Sequence, residues 1–441
     1  MQGHIFMAQC AAEQTRDPRL KALLAAHPKS LVNGAFFPDS GYTAADHDQG
    51  EIAHWEQYVD GYIQLVRERH KTPSSAPEAA PHIAFMMGIG AHGITDSTFD
   101  TLLYARSEQV DRANMDPFDM AMDIFLVADM PRYFLPEYAF DAATLSLVYD
   151  RVPHKVPAAN ITKAMEIARS GIGAVTTFLH TSADTYGKMF PWARSHLRDS
   201  RTPGAYPFGA RVVARYYEEI FRRLEGDTSA DKVLIGSYPD PEYPLLTLDP
   251  KRADGQVVLF FGHGLDRATI NGNTFVLRDG AGGVVPSKVS IFRGDKWPNV
   301  ITLRPDASWL PDTKYVVTVT RGLRTLNGTS PSSDIQLSFQ TCTPVSPGGD
   351  CAEPPAPAPG PSPCPVTENQ YKKRPGTEEP PPEPAPSPPP SAAAPSAPQS
   401  SSCAASPRLG HDPASALAAL LVLPFALGAR RLRREVDAHR R

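Results

Sequence analysis

The chain is poor in cysteine and has no excess of either charge. Its 441 residues carry five cysteines and no Cys-x-x-Cys pair, which excludes a thiolate zinc module of the finger or ribbon type. Cys10 stands alone near the start, whereas Cys342, Cys351, Cys364 and Cys403 lie at or beyond the edge of the part expected to fold. Cys342 and Cys351 flank a Pro-Gly turn and read equally as a disulfide, in an oxidising compartment, or as two thiols. A formal net charge of -4 supplies no basic field of the kind that holds a polyanion by counterion release, so nucleic acid is not an expected partner. The opening run Met1-Gln2-Gly3-His4-Ile5-Phe6-Met7-Ala8 lacks the basic start, apolar stretch and small-residue cleavage site of an export signal.

What is present divides the chain into stretches of different character. A hydrophobic content of 41% is ample for a buried core. From Glu51 to His70, Trp55, Tyr58, Val59, Tyr62, Ile63 and Val66 recur at the three- and four-residue spacing of one helical face. Similar stripes run through Ile83 to Tyr104, Phe118 to Asp129, Ala158 to His180 and Ala210 to Leu224, so residues 1–230 are expected to form an all-α domain. Over 237–342 the period drops to two, as in Tyr315-Val316-Val317-Thr318-Val319 and Ile335-Gln336-Leu337-Ser338-Phe339, which predicts a small all-β sandwich. Residues 343–412 are dominated by Pro, Ala and Ser and read as a disordered, extended stalk. In the last stretch, 413–441, an uncharged run from Pro413 to Ala429 precedes Arg430, Arg431, Arg433 and Arg434. That pattern predicts a C-terminal hydrophobic helix that anchors the chain in a membrane, the arginines on the cytoplasmic side. A terminal core helix is the alternative, although a helix packed on soluble protein usually keeps one polar face.

The richest run for chemistry is Gly88-Ile89-Gly90-Ala91-His92-Gly93-Ile94-Thr95-Asp96-Ser97-Thr98-Phe99-Asp100. In a helix, positions four apart share a face, so His92, Asp96 and Asp100 would form a column of one imidazole and two carboxylates. Such a column binds metal or is a surface ion pair. Two other fragments carry ligand types. In Phe37-Pro38-Asp39-Ser40-Gly41-Tyr42, Asp39 is a ligand or a turn-forming residue after proline. In Ile52-Ala53-His54-Trp55, His54 is a ligand or a core histidine on the Trp55 stripe. His70, His82, His154 and His180 have no motif around them and read as structural or exposed.

Taken in order, Gly3-His4, the Phe-Pro-Asp-x-x-Tyr run, His54-Trp55 and the Gly-x-x-x-His-x-x-x-Asp helix resemble the zinc-dependent phospholipase C domain. That domain also fronts glycosylphosphatidylinositol-specific phospholipase D and is related to the fungal single-strand nucleases. The resemblance has motifs from Gly3 to Asp129 and implies a trinuclear zinc cluster, between helices, that activates water for attack on phosphorus. By this likeness Asp39, His54, His92 and Asp96 hold one zinc, and Asp96 and His4 share a second. Asp39 also serves as the general base. The family completes its second zinc with the free amino group and carbonyl of a mature N-terminal residue. Here Met1-Gln2-Gly3 stands in that place, which implies either an export signal missing upstream, the favoured reading, or a weaker second zinc.

The third zinc is where the sequence departs from the family. Asp100 stands where the family has a histidine, and Met115 replaces another, which leaves Asp119. Asp119 reads equally as a ligand or as the acidic first turn of a helix capped by Asp116 with Pro117 behind it. An acidic set of this kind favours harder ions such as Ca²⁺, Mg²⁺ or Mn²⁺. The stretch 300–339, with Trp309-Leu310-Pro311-Asp312-Thr313-Lys314-Tyr315, resembles the bacterial Ig-like domain of surface proteins and is expected to be a spacer or adhesive module. The Ser-Ser-Cys403 tail is similar to myxobacterial C-terminal sorting tags.

The expectation is therefore an exported, surface-anchored phosphodiesterase with two or three zinc ions, acting on phospholipid head groups. The rival reading is a non-catalytic surface module with a degenerate, structural metal site. A nuclease on the same fold is a further alternative.

Overall fold

Close backbone packing at small residues organises the helical half. The molecule, a computed structural model, is described over residues 1–112, 115–129, 137–240, 247–292 and 299–343, with Tyr243, Leu245 and two short strands besides. The first helices are α1 (Gln2–Gln14), α2 (Pro18–Ala26), α3 (Pro28–Thr43), α4 (His47–Ala53), α5 (Glu56–Arg69) and α6 (Ala80–Thr98). A π-helical turn, Phe99–Tyr104, follows α6. Then come α7 (Ala105–Val110), α8 (Met115–Asp129), β1 (Arg132–Tyr133), α9 (Ala142–Tyr149), α10 (Ala158–Phe178), α11 (Ala183–Met189), α12 (Pro191–His196) and α13 (Tyr206–Leu224).

Helix α6 is the axle. Of its residues from Ile83 to Thr98 every one is buried except Asp96. Its apolar content is spread all round, as an internal helix requires, and α1, α3, α5 and α13 pack about it. The crossing with α3 is close enough to need glycine: a Cβ on Gly88 would lie 2.1 Å from the Leu31 carbonyl oxygen. Pro38 sits inside α3, where its missing N–H and ring cost about 3 kcal/mol in an isolated helix. Burial of Phe36, Phe37 and Leu31 offsets that cost at about 1.5–3 kcal/mol per large side chain.

The strands of the second half are β2 (Leu234–Tyr238), β3 (Val257–Phe261), β4 (Phe275–Asp279), β5 (Ser287–Ile291), β6 (Val300–Pro305), β7 (Lys314–Val319) and β8 (Ile335–Gln340). They form two antiparallel sheets, β2-β3-β6-β5 and β4-β7-β8. A further two-residue strand, β9 (Lys372–Lys373), pairs with β1. Register places Leu259 opposite Ile301 and Tyr315 opposite Phe339, so apolar residues from both sheets face inward. Trp309 closes one end: its Nε1–H donates to the Gly255 carbonyl at 2.7 Å, and its ring lies 4.8 Å from that of Tyr315.

The sandwich is fused to the helices. All five residues of β3 are buried, and Phe208 of α13 meets the rings of Phe260 and Tyr243 at 6.2 and 4.8 Å. Arg106 of α7 reaches the buried Asp254 at 3.1 Å. One continuous apolar core runs through both halves.

Within the described residues, the helices of the first half and the strands of the second are present, with three corrections. The stripe read from Glu51 to His70 is two helices with a break at His54 and Trp55. The Phe-Pro-Asp run is helical throughout, so Asp39 is not a turn residue. Helix α8 begins at Met115, which places Asp116 inside it and not at its cap. Cys10, read as solitary, is disulfide-bonded, as is Cys342. No helix among the described residues is long and apolar enough to cross a membrane. The Pro-rich stretch, the C-terminal hydrophobic segment and the pairing of Cys342 with Cys351 lie outside the described residues.

Candidate metal centre

Five of the seven residues singled out as ligands converge on one point between α1, α3, α6 and the α4–α5 break. His92 and Asp96 project from one face of α6, four residues apart. Asp39 comes from α3 and His4 from α1. His54 ends α4, held by the approach of α6: a Cβ on Gly93 would lie 2.1 Å from the His54 carbonyl oxygen. His54 Nε2 lies 3.6 Å from Asp39 Oδ1 and 3.7 Å from Asp96 Oδ2. His92 Nε2 lies 3.6 Å from each of the same two oxygens. His4 Nε2 is 2.6 Å from Asp96 Oδ1, and its ring stacks on that of His92 with centroids 3.7 Å apart. Two sets, His4-Asp39-His92 and His54-His92-Asp96, have ligand atoms all within 4.8 Å of one another.

Backbone carbonyls fix which nitrogen each ring offers. His54 Nδ1–H donates to the Gly50 oxygen at 2.6 Å, and His92 Nδ1–H to the Ala35 oxygen at 2.7 Å. In a neutral ring so held, Nε2 carries the lone pair, and it points at carboxylates that also carry lone pairs. A backbone acceptor on the remote nitrogen is the usual support of a metal-bound histidine. His92 Nε2 and His4 Nδ1 are buried without a hydrogen-bond partner, which is costly for polar atoms unless a cation satisfies them. Two imidazoles with two carboxylates suit zinc in charge and ligand type. The residues present therefore fit a metal ion.

Electrostatics agree. Burial opposes ionisation of Asp39, but His92 and His54 outweigh it and hold the carboxyl well below the usual range. Asp96 is likewise held down to about 2, against burial, by His4 and His92. His92 is pushed down to about 3 by burial and by His4, so its ring is neutral. Burial also works against a charge on His54, yet Asp39 and Asp96 raise it to about 9. Without a metal, one imidazolium thus substitutes in part for the missing positive charge.

Asp100 and Asp119 do not join this cluster. Asp100 lies in the π-helical turn, whose i→i+5 repeat breaks the four-residue column that His92 and Asp96 begin. Asp119 is exposed on α8. One residue that sequence reasoning missed stands near His4. Asp123 accepts hydrogen bonds from the Met1 amino group at 2.8 Å, Gln2 N–H at 3.0 Å and Gly3 N–H at 2.9 Å. It thereby secures the N-terminal turn of α1 that carries His4. The available signal was its position four residues after Asp119 on the same helix. Of the histidines without a motif, His82 bonds to Tyr62 and His154 to Asp46.

The site and fold together define a helical body with a buried His/Asp centre, joined to a β-sandwich. Residues 249–341 match the family described as a bacterial Ig-like domain. The chain is also similar to the phosphatidylinositol-glycan-specific phospholipase D of Mus musculus, at 25% identity over 152 residues. That match covers 32% of this chain and 18% of the relative, so the chain spans under a fifth of the relative's length. Among solved structures it aligns with the N-terminal part of the bacterial S-layer protein SbsC at TM-score 0.21 and 12% identity, covering 74% of this chain and 79% of that one. The longer SbsC(31–844) gives TM-score 0.22 and 10% identity, covering 74% and 46%. No common fold follows from scores of that size.

Proposed function

We propose that the helical half is a metal-dependent phosphodiester hydrolase that acts on phospholipid head groups outside the cytoplasm. The observation that carries this is the pair of Nε2 atoms on His54 and His92, each fixed by a backbone carbonyl and each aimed at Asp39 and Asp96. The likeness to a phospholipase D supports the substrate class. The bacterial Ig-like domain and the disulfide-bonded Cys10 and Cys342 support an extracellular or cell-surface setting.

In this reading Asp39, His54, His92 and Asp96 hold one zinc, and Asp96 with His4 a second. When bound, the metal supplies an acidified water and stabilises charge developing on phosphorus. The chain's own groups do the rest. Asp39, ionised throughout the physiological range, orients the attacking water as general base. His54 and His92 keep fixed tautomers through Gly50 and Ala35, so no reorientation accompanies the reaction.

A second reading is favoured by one specific observation: Asp100 and Asp119 stay outside the cluster. A site without them could hold a structural ion in a non-catalytic surface module.

The deciding experiment uses the full chain. Bound metal per chain is measured, and a chromogenic phosphocholine ester is assayed beside single-stranded DNA. The expected result is one or two zinc ions and ester turnover that His92→Ala abolishes. Metal without turnover on either substrate supports the structural site, turnover on DNA alone supports a nuclease, and absence of metal overturns both metal readings.

A further inference from the structure

The geometry points to Glu51 as a positioning residue: one carboxylate that ties the two ligand-bearing stretches at Asp39 and His54 to each other. The inference rests on the metal-site reading above and adds to it the residue that holds the site's geometry. Glu51 lies in α4, three residues before His54, and its two oxygens serve different elements. Oε2 accepts from the Tyr42 hydroxyl at 3.0 Å, and Oε1 accepts from the Trp55 Nε1–H at 3.1 Å. Tyr42 is on α3, three residues beyond Asp39. Trp55 directly follows His54 and immediately precedes α5.

The two donors flank the imidazole. The Tyr42 ring lies 5.2 Å from that of His54, and the Trp55 ring 5.6 Å from it. His54 is also held through Nδ1 by the Gly50 carbonyl, in the same helix as Glu51, and through Nε2 by Asp39 and Asp96. The α3 and α4 backbones also touch, since a Cβ on Gly41 would lie 2.3 Å from Gly50 N. Glu51 thus sets the orientation of both aromatic walls of His54 and, through Tyr42, the distance between Asp39 and His54. Its effect on the metal is carried by Tyr42 and Trp55. Charged hydrogen bonds of this kind lose orientation sharply when the acceptor is removed.

The test uses the full chain and Zn²⁺ alone, titrated against a competing chelator. Glu51→Ala is expected to weaken zinc binding about 10- to 100-fold. Glu51→Gln is expected to stay within about threefold of wild type, because its amide oxygen still accepts from Trp55 and its amide N–H can donate to the Tyr42 oxygen. A merely structural tie between helices would lower the melting temperature of the metal-free protein and leave zinc affinity unchanged. If Glu51→Ala does not fold, Tyr42→Phe and Trp55→Phe decide, since each deletes one donor and should weaken zinc binding by a smaller factor. Wild-type affinity in Glu51→Ala, or in both single-donor variants, overturns this inference and leaves the metal site standing. A wild-type chain that takes up no zinc overturns the metal-site reading and this inference with it.

Discussion

Two clusters of buried charge meet at the start of α5, with His54 in one and Glu56 in the other. In the second, Arg223 of α13 lies between Glu56 and Asp60: its Nη2 is 2.6 Å from Glu56 Oε1, without hydrogen-bond alignment, and its Nη1 donates to Asp60 Oδ1 at 2.6 Å. Tyr216 donates to the other oxygen of Glu56, and the neighbouring Arg222 pairs with the buried Glu219 at 2.7 Å. Each carboxylate there has a guanidinium beside it. In the cluster around Asp39 and Asp96 the carboxylates face imidazoles, of which His54 is held charged, and among the described residues no arginine or lysine pairs with them. Both clusters are largely withdrawn from solvent, with Asp96 in one and Asp60 in the other half-buried, and burial alone does not distinguish a site from a brace. The difference lies in the cation the chain supplies: fixed guanidinium groups in the one, and in the other an imidazolium on His54 whose proton a metal ion would displace.

The largest expected effect breaks the comparison from the outside. The Arg223 cluster is roofed by the sandwich, where Gly262 packs on Glu219 and Tyr216 so closely that a Cβ would lie 2.8 Å from Glu219 Cγ. A chain ended at Asp231 keeps every candidate metal ligand but uncovers this network and the apolar face of α13. It is expected to show no cooperative thermal transition and weak near-ultraviolet circular dichroism. A sharp melt from that fragment would show that the sandwich is a removable appendage and that the brace is self-sufficient.

Next in size, and within the intact chain, the two clusters should respond in opposite ways to loss of a charge. Arg223→Ala leaves Glu56 and Asp60 without their counter-charge, and is expected to destabilise by about 3–5 kcal/mol in urea unfolding. Zinc uptake by its folded fraction should be unchanged. Asp96→Asn removes a charge that the metal-free site balances only with imidazoles, so the metal-free protein should lose less stability than Arg223→Ala does, about 1–2 kcal/mol. The same variant should lose the stabilisation of about 2.7 kcal/mol that a ligand at a hundred times its dissociation constant gives the wild type. Equal destabilisation by the two substitutions would remove the distinction between brace and site.

The sequence disclosed these clusters unequally, for physical reasons. His92 and Asp96 were legible because a four-residue spacing places side chains on one helical face whatever the surroundings. Asp100 was read into the same column because nothing in Ser97-Thr98-Phe99-Asp100 signals a π-helical turn. That Asp39, His54 and His4 come to the same point depends on packing between helices, and only the resemblance anticipated it. Nothing in the sequence singles out Glu51, since its partners lie nine residues before and four after it. Arg223 stands in the last turn of α13, where a basic residue is common, so the sequence gives no sign of its partners. The strands β7 and β8 were legible from alternation alone. Their fusion to α13 was not, because Phe208 and Phe260 carry no sign of which surface they bury against.

The smallest expected effect lies at the rim of the Arg223 cluster. Asp227 meets Arg222 Nη1 at 2.7 Å, and Arg222 together with the Ser229 N–H holds its carboxyl down to about 2. A carboxylate depressed in the folded state stabilises it at any pH above the unfolded value, near 4. That contribution disappears as pH falls through the unfolded value toward about 2. Asp227 is more than half exposed, so solvent screens the pair, and Arg222 keeps Glu219 as a partner when Asp227 is neutralised. Asp227→Asn should therefore lower the melting temperature by only a degree or two at pH 7. The gap between wild type and variant should hold down to about pH 5 and narrow by pH 3, which thermal melts at three pH values would measure. A gap that stays constant to pH 3 would mean that the rim carboxylate does not titrate against Arg222. A gap of several degrees at neutral pH would mean that the brace depends on its exposed edge, and that Glu219 is not the partner that keeps Arg222 in place.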